Sequence, residues 1–342
     1  MALVVGNDAN NNPNNKSYER ALAAKMQMIL DQPSSDITAK LCNNDYEGEF
    51  FKIGDTVTIV KPSIDSVDVQ VGSLTGADSG ANLDRKLVAS DLQFTNQYMT
   101  IDKTIKYAFL VSDVNKEEGK WNYESGGLDL ATQKTRKKMN LDLCDLVVND
   151  ATIVANAAAL NLGTPAAPVA VTADELYTKV IVPMYAALFN EGAITADGSY
   201  TFGSNEQQSK QTTAGIFMPM EAYTQLLVGH YFTDRSTTAA DDKVATANVK
   251  AILGMDVGIE PALSSSATIN RKVTIAGLKE GAFVIVAGTK NTVTEAKKVL
   301  PPERQRSRER YADEFHGMTI FGRKVISPES CVVAFVELKA GA

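Results

Sequence analysis

The stretch FKIGDTVTIV, residues 51–60, carries the pattern that decides the fold. From Thr56 onward β-branched residues alternate with polar ones, which is typical of a strand with one buried face. The alternation continues through 64–71 and returns at 92–111 after a turn-rich stretch at 72–82. The pattern predicts a long β-hairpin, or a pair of hairpins, between Phe51 and Asp113.

No helix-forming segment lies inside this hairpin to cover its faces. An isolated hairpin is only marginally stable in water. We therefore expect the hairpin to be ordered by contact with another protein surface, and this expectation indicates a chain that assembles.

The segments on either side of the hairpin have helical periodicity. Before it, an asparagine-rich stretch at 7–15 leads into a helix predicted from Ser17 to just before Pro33. After it, a three-four spacing predicts one helix over 128–159, about 45 Å long at 1.5 Å per residue. The positions on its stripe are Leu128, Ala131, Thr135, Met139, Leu143, Leu146, Asp150 and Val154.

A compact α/β region is predicted from about Val171 to Lys298. It begins with a helix over 175–190, capped by Thr172 or Asp174 and kinked or split at Pro183, which cannot donate a backbone hydrogen bond. A second helix is predicted over 219–228. Strands are predicted at 214–218, 257–259, 273–275 and 282–287, and in the tail at 318–320, 324–326 and 331–338.

Composition excludes several classes of protein. The 342 residues are 44% hydrophobic and 22% charged, as in an ordinary globular protein of about two domains. The net charge of −7 argues against a dedicated nucleic-acid binder. No signal peptide or membrane-spanning run is visible, so we expect synthesis in a cytoplasm. The scattered cysteines, Cys42, Cys144 and Cys331, are expected to be buried or idle thiols.

A search for chemistry yields no site residues: no catalytic, cofactor-binding or metal-ligating set is predicted, and the chain is not expected to be an enzyme. The two histidines, His230 and His316, have no second ligand at metal-binding spacing. Gly288-Thr289-Lys290 departs from the phosphate-binding loop pattern. The acid pairs Asp65 with Asp68 and Asp142 with Asp145 are interpreted as surface charges.

The most cationic stretch lies between Lys297 and Arg310. It is interpreted as a solvated loop or a set of ion pairs, and alternatively as an intersubunit clamp or a patch facing DNA. Its cations are Lys297, Lys298, Arg304, Arg306, Arg308 and Arg310.

In order, an arm, a long hairpin, a rod-like helix, an α/β region and returning strands resemble the major capsid proteins of tailed bacteriophages, whose fold is shared with encapsulins. The likeness runs from about Tyr18 to Leu338. The stretches that carry it are FKIGDTVTI at 51–59, the return strands at 91–114, AGIFMP at 214–219, GMDVGI at 254–259 and GMTIFGRKVISP at 317–328.

The resemblance implies an α+β fold with an N-arm, an E-loop β-hairpin, a long spine helix, a P domain and an α/β A domain. The implied ranges are 1–50 for the N-terminal arm, 51–113 for the E-loop and adjoining strands, 114–170 for the P domain with the spine helix, 171–298 for the A domain and 299–342 for the return strands of the P domain.

It also implies a function. Such chains form hexamers and pentamers that close into an icosahedral shell around the phage genome, within the virion capsid, after assembly in the host cytoplasm. The implied partners are other copies of the chain, a scaffolding protein, portal and decoration proteins, and double-stranded DNA bound without sequence specificity; no membrane and no cofactor are implied. Some relatives cross-link an E-loop lysine, and Lys86 is the only lysine near the predicted tip, although a cross-link is not expected here.

Three alternatives stay open from the sequence. The first is an encapsulin-like compartment that packages an enzyme, although the asparagine-rich start and long α/β region favour a virus. A tail-tube or surface-layer protein would instead form filaments or sheets. An enzyme with a dispersed site would be a well-formed monomer with a deep pocket.

Overall fold

The computed structural model describes residues 14–30, 36–46, 52–62, 94–114, 123–196, 198–202, 210–228, 249, 251–264, 275 and 277–339. The helices are α1 (Asn14–Leu30), α2 (Ile37–Leu41), α3 (Tyr123–Val148), α4 (Ala151–Ala159), α5 (Ala173–Leu176), α6 (Val182–Asn190) and α7 (Met220–Val228). The strands are β1 (Cys42–Asn43), β2 (Thr56–Pro62), β3 (Phe94–Thr100), β4 (Lys103–Ser112), β5 (Val169–Val171), β6 (Ser199–Phe202), β7 (Lys210–Thr213), β8 (Gly215–Met218), β9 (Ala251–Ile252), β10 (Met255–Ile259), β11 (Ala282–Gly288), β12 (Val293–Val299), β13 (Glu303–Arg306), β14 (Ala312–Val325) and β15 (Cys331–Leu338).

The predicted hairpin is confirmed at its base. Strands β2 and β3 pair antiparallel from Thr56 opposite Thr100 to Pro62 opposite Phe94. Residues 63–93, with the predicted turns and Lys86, lie outside the described residues. The return strand then divides, because β4 leaves the hairpin and pairs with β14 over ten residues.

Strand β14 organises a five-stranded sheet, which we call the spine sheet. Its order is β1-β12-β14-β13, and β4 pairs with the other edge of β14. The prediction of two strands at 318–320 and 324–326 was wrong, since β14 is continuous over 14 residues. Gly322 does not interrupt it; a Cβ there would lie 2.6 Å from the carbonyl oxygen of Thr100, so glycine allows the hairpin to approach closely.

A six-stranded mixed sheet holds the larger core. Its order is β5-β15-β11-β8-β10-β9. Every residue of β8 and β11 is buried, as expected for strands covered on both faces. The predicted strands at 214–218, 282–287 and 331–338 are confirmed, whereas 273–274 lies outside the described residues.

The long helix is real but is not one rod. Helix α3 ends at Val148 and α4 begins at Ala151, so the prediction of a continuous helix over 128–159 was wrong at Asp150. Asp150 is extended (φ −69°, ψ 123°), and its carboxylate accepts hydrogen bonds from the N–H groups of Thr152 and Ile153. An aspartate that caps a new helix in this way ends the previous one.

The predicted kink at Pro183 is confirmed. Thr172 and Glu175 form a capping box at the start of α5. A π-helical turn over Tyr177–Ile181 follows, and Pro183 lies in the first turn of α6, where its missing N–H costs least.

The two sheets take strands from interleaved parts of the chain. Strand β12 lies almost wholly within the range 171–298 yet pairs with β14 in the spine sheet. Strand β15 lies within 299–342 yet pairs with β11 and β5 in the six-stranded sheet. The domain ranges expected from the sequence stay a prediction, and the chain passes between the sheets at 289–292 and again at 326–330.

Candidate assembly surface

The hairpin base has one face packed on its own chain. Val57, Ile59, Met99 and Ile101 are buried against Ala296, Ile320 and Ile326 of the spine sheet. The expectation of an uncovered hairpin was therefore wrong for this face. Its cover is a sheet distant in sequence, which a search of the local segment for a covering helix could not find.

Polar contacts fix the same face in place. The ammonium of Lys324 donates a hydrogen bond of 3.0 Å to the carbonyl oxygen of Tyr98. At the hairpin entrance Gly54 N–H donates to Ile101 O (2.8 Å), and Ile101 N–H donates to Asp55 O (3.0 Å). Lys324 thus ties β3 to the spine sheet, and the other two bonds extend the pairing between the two legs of the hairpin.

The opposite face of the hairpin base is exposed and presents three apolar side chains among polar ones such as Thr58 and Asn96. Val60, Phe94 and Tyr98 are 51%, 57% and 60% exposed. They alternate with the buried residues, and Tyr98 lies opposite Thr58 across the strand pair. We call Val60, Phe94 and Tyr98 the outer hairpin face; among the described residues nothing covers it.

A buried charge cluster joins the spine sheet to α3 on the other side of that sheet. Arg323 and Glu295 are cross-strand partners, and both side chains are fully buried. Arg323 Nε donates to Glu295 Oε2 at 2.5 Å, and Nη1 donates to the carbonyl oxygen of Met139 in α3. Asp142 Oδ2 lies 3.4 Å from Arg323 Nη1. The other carboxylate oxygen, Oδ1, forms an ion pair with Lys103 Nζ at 2.7 Å.

The cluster keeps Arg323 charged. Burial lowers the pKa of the guanidinium, but the charges of Glu295 and Asp142 and the hydrogen bond to Glu295 are among the causes that together more than offset this, so the pKa is raised overall. Sequence reasoning missed the Arg323–Glu295 pair. Strands β12 and β14 each contain several other charged residues, so no local signal singled out this pair.

The arm helix α1 packs on the same side as α3. Met26 is buried with Leu128 and Val299. The hydroxyl of Tyr107 lies 3.0 Å from Met26 Sδ, and burial raises the pKa of Tyr107 to about 12. Lys25 pairs with Asp129 at 2.8 Å, so apolar and ionic contacts both hold the arm against α3.

The cationic stretch forms strands and ion pairs. Lys297 is buried, with Nζ 3.6 Å from Glu295 Oε1, and β13 is an exposed strand rather than a loop. Arg304 contacts Asp313, and Arg306 contacts Asp113 and Asp313. The ion-pair interpretation is therefore confirmed for these three cations, and the clamp and DNA interpretations stay predictions.

The prediction that the chain has no catalytic, cofactor-binding or metal-ligating residues stays a prediction. Within the described ranges no group of three or more histidine, cysteine or acidic side chains is placed to hold a metal ion. His316 lies 3.3 Å from Glu314 and is half-exposed, whereas His230, Asp65 and Asp68 lie outside the described residues.

The Gly288-Thr289-Lys290 segment and the three cysteines, which the sequence analysis also considered, have the following environments. Lys290 lies in the turn between β11 and β12, and Thr289 N–H donates to Ser330 O. All three cysteines are buried free thiols, as predicted, and burial raises the pKa of each. No helix among the described residues is long and apolar enough to cross a membrane.

By sequence the chain matches no family model and no curated protein. By structure it is similar to a solved structure from Mycobacterium phage Che8, at TM-score 0.56 and 16% identity, over 87% of this chain and 90% of that one. It is also similar to the asymmetric unit of the bacteriophage PhiM1 mature capsid, at TM-score 0.52 and 10% identity, over 88% of this chain and 89% of that one. The chain has the tailed-phage capsid fold.

The mixture of helices and sheets matches the α+β class expected from the sequence. The predicted resemblance is confirmed at the level of fold. At these identities the likeness concerns the fold alone, and the residues that would carry assembly have to be argued from this chain.

Proposed function

We propose that the chain is a major capsid protein, a structural subunit rather than an enzyme. Copies associate into hexamers and pentamers, and these close into an icosahedral shell around a double-stranded DNA genome. The protein then belongs to the virion capsid after assembly in the host cytoplasm. Scaffolding, portal and decoration proteins are its further partners.

The outer hairpin face is the observation that carries the proposal. Three large apolar side chains project together from strands whose other face is firmly anchored. Exposed apolar groups on a rigid base indicate an interaction surface more strongly than the same groups on a loose loop would. In a ring of identical subunits, such a face on one copy meets a different surface of the next, which is the heterologous contact that closes rings.

The experiment that tests the proposal is expression of the chain alone and together with the protein encoded just upstream. Negative-stain electron microscopy of both samples should reveal closed shells in at least one. Filaments or flat sheets would instead support a tail-tube or surface-layer protein and contradict the proposal.

Monomers in both samples call for hydrogen exchange over 63–93, the part of the predicted hairpin beyond its anchored base. Rapid exchange in this range agrees with a hairpin that awaits its neighbour, whereas full protection in the monomer contradicts the proposal. The contents of any shells separate the two compartments of this fold: genomic DNA supports a virus, and a packaged enzyme supports an encapsulin.

A further inference from the structure

Strand β4 forms one edge of the spine sheet along its whole length. One side of β4 pairs with β14 from Lys103 to Ser112, and no described strand pairs with its other side. In an antiparallel pair, alternate residues direct their N–H and C=O groups away from the partner strand. Among the described residues, no backbone hydrogen bond reaches these groups between residues 103 and 111. The outer side of β4 is therefore an open row of donors and acceptors, which can template one further strand.

A groove follows this open side of β4 and has α3 as its second wall. Its volume is about 380 Å³. The consecutive residues 105–109 of β4 line it, so the groove meets both faces of the strand and runs along its edge. The lining residues from α3 are Gly127, Leu130, Ala131, Lys134, Thr135 and Lys138. We call this groove the edge groove.

The α3 wall of the edge groove offers apolar contact. Leu130 is 60% exposed, although it lies on a helix whose neighbouring Leu128 is fully covered. Gly127 and Ala131 have small side chains, which leave room beside Leu130 for the side chains of another chain. An exposed leucine next to an unpaired strand edge indicates a contact surface.

Lysines border the edge groove on both sides of its open strand edge. Lys134 and Lys138 lie on the α3 side. Lys106 lies on the opposite face of β4, because it is the cross-strand partner of Met318, which packs with the hairpin base. A strand added to β4 would direct its side chains alternately to these two sides, so it would meet cations on each.

The charge of the edge groove is not neutralised within the described part of the chain. No acid lines the groove, and its three lysines form no ion pair with a described residue. The nearby acids Asp129 and Asp142 pair with Lys25 (2.8 Å) and Lys103 (2.7 Å). The complementary occupant of the groove is therefore an acidic chain.

We propose that the edge groove binds an extended, acidic segment of a different protein, which pairs with β4 as an additional strand. Main-chain hydrogen bonds to β4 would hold the segment, Leu130 would contact its apolar side chains, and the lysines would select acidic residues. The proposal concerns the single subunit, so it does not depend on the proposed function.

A second copy of this chain is a poorer occupant. Strand β4 contains Lys103 and Lys106 and no acid, so two β4 strands repel each other. Among the described strands at the other sheet edges, the only acid is Glu303 of β13, and β13 also contains Arg304 and Arg306. None of these strands has the acidic character that the edge groove favours.

Peptide binding by the unassembled full-length chain tests the proposal. The probe is a labelled ten-residue peptide of alternating glutamate and valine, titrated by fluorescence anisotropy at 50 and 200 mM NaCl. One control peptide has glutamine in place of glutamate. Another keeps the glutamates but carries a methyl group on every backbone nitrogen, so it cannot donate to β4. The unmodified acidic peptide should bind best, and more weakly at 200 mM NaCl because salt screens exposed charges.

Variants of the chain locate the binding site. The triple variant Lys106→Gln, Lys134→Gln and Lys138→Gln should bind the acidic peptide about tenfold more weakly, because each exposed ion pair contributes about two- to threefold. A control with the same charge change carries Lys52→Gln, Lys137→Gln and Lys339→Gln, exposed lysines that do not line the edge groove, and should bind normally.

Leu130→Glu is a second test that alters the α3 wall. It removes an apolar contact and repels the acidic peptide, so affinity should again fall about tenfold or more. Leu130 and the substituted lysines are exposed, so urea unfolding midpoints should stay unchanged. Hydrogen exchange should show slower exchange over 103–112 when the peptide is bound to the unsubstituted chain.

Four results would overturn the proposal. The unsubstituted chain fails to bind the acidic peptide at millimolar concentration, or the triple variant binds it as well as the control variant does. Equal binding of the methylated peptide excludes strand pairing. A triple variant that loses affinity for a 20-base-pair DNA duplex but keeps its affinity for the peptide assigns the lysines to nucleic acid instead.

Discussion

At the scale of single residues, the buried ion pair between Arg323 and Glu295 decides how the spine sheet meets α3. Two charges have been taken out of water, which costs several kcal/mol for each ion unless each meets its partner closely. Arg323 also donates to the Met139 carbonyl oxygen, so one side chain joins two strands and a helix.

Replacing Arg323 with methionine removes the closer of two cations at the buried Glu295, because Lys297 Nζ stays 3.6 Å from Glu295 Oε1. We expect Arg323→Met to lower the free energy of unfolding by about 3–5 kcal/mol, measured by urea denaturation of the unassembled chain. The double variant Arg323→Met with Glu295→Leu removes both charges of this pair and should recover part of the loss, since the buried Lys297 then loses its contact with Glu295. Equal stability of the single variant and the unsubstituted chain would contradict this account.

Glu260 gives a pH dependence of known sign. Burial raises its pKa above the ordinary 4.5, although hydrogen bonds from Ala262 and Asn140 oppose the shift. The folded chain therefore binds the proton more tightly than the unfolded chain does, and stability falls as pH rises from 4.5 through the raised value. We expect Glu260→Gln to raise the free energy of unfolding at neutral pH and to flatten its pH dependence.

The measurement is a series of urea unfolding curves across that pH window. Glu280→Gln, at an exposed turn, is the matched control and should leave the pH dependence unchanged. A Glu260→Gln variant with the same pH dependence as the unsubstituted chain would refute the assignment.

At the scale of elements, α3 contains two adjacent glycines with opposite surroundings. A Cβ at Gly126 would meet nothing within 4 Å. A Cβ at Gly127 would lie 2.6 Å from the ring of Phe109, which stacks on Phe315 with ring centroids 5.0 Å apart. The second glycine allows α3 to lie close to β4.

Substitutions at these two neighbouring glycines serve as controls for each other. Gly126→Ala should stabilise the chain by about 1 kcal/mol, because alanine favours a helix. Gly127→Ala should destabilise it by about 1–3 kcal/mol, because the stacked ring has to move. Thermal unfolding checks both. A shift of the melting temperature in the same direction for the two variants would show that Phe109 yields freely.

Local sequence patterns predicted most elements and failed where distant contacts decide. Three features depend only on neighbouring residues and were therefore predictable from the sequence. They are the alternation in β2 and β3, the effect of Pro183 on its helix and the apolar run of β15. The break at Asp150 was missed because its position also fits the helical stripe. The exact cover of the hairpin, and the Arg323–Glu295 pair, depend on which strands become neighbours, and no local pattern encodes that.

At the scale of the whole molecule, the spine sheet has the hairpin base on one side and α3 on the other. The outer hairpin face exposes Val60, Phe94 and Tyr98. This face could not be located from the sequence, since it depends on where the hairpin base packs.

The outer hairpin face should matter for association and little for folding. Phe94→Asp combined with Tyr98→Asp should change the free energy of unfolding by less than about 0.5 kcal/mol, as for other exposed positions. The same variant should yield no shells by electron microscopy. Phe189→Asp, an aromatic residue 46% exposed on α6, is the control and should assemble. Shells from the double variant at normal yield would remove this face from the interface.

The position of β15 in the six-stranded sheet has a consequence for synthesis. Residues 331–338 fill the gap between β5 and β11, so the sheet stays open until almost all of the described chain has left the ribosome. A product of premature termination before Cys331 would lack an interior strand and expose the apolar flanks of β5 and β11 to proteases. We therefore expect such a truncated product to be degraded rather than to fold.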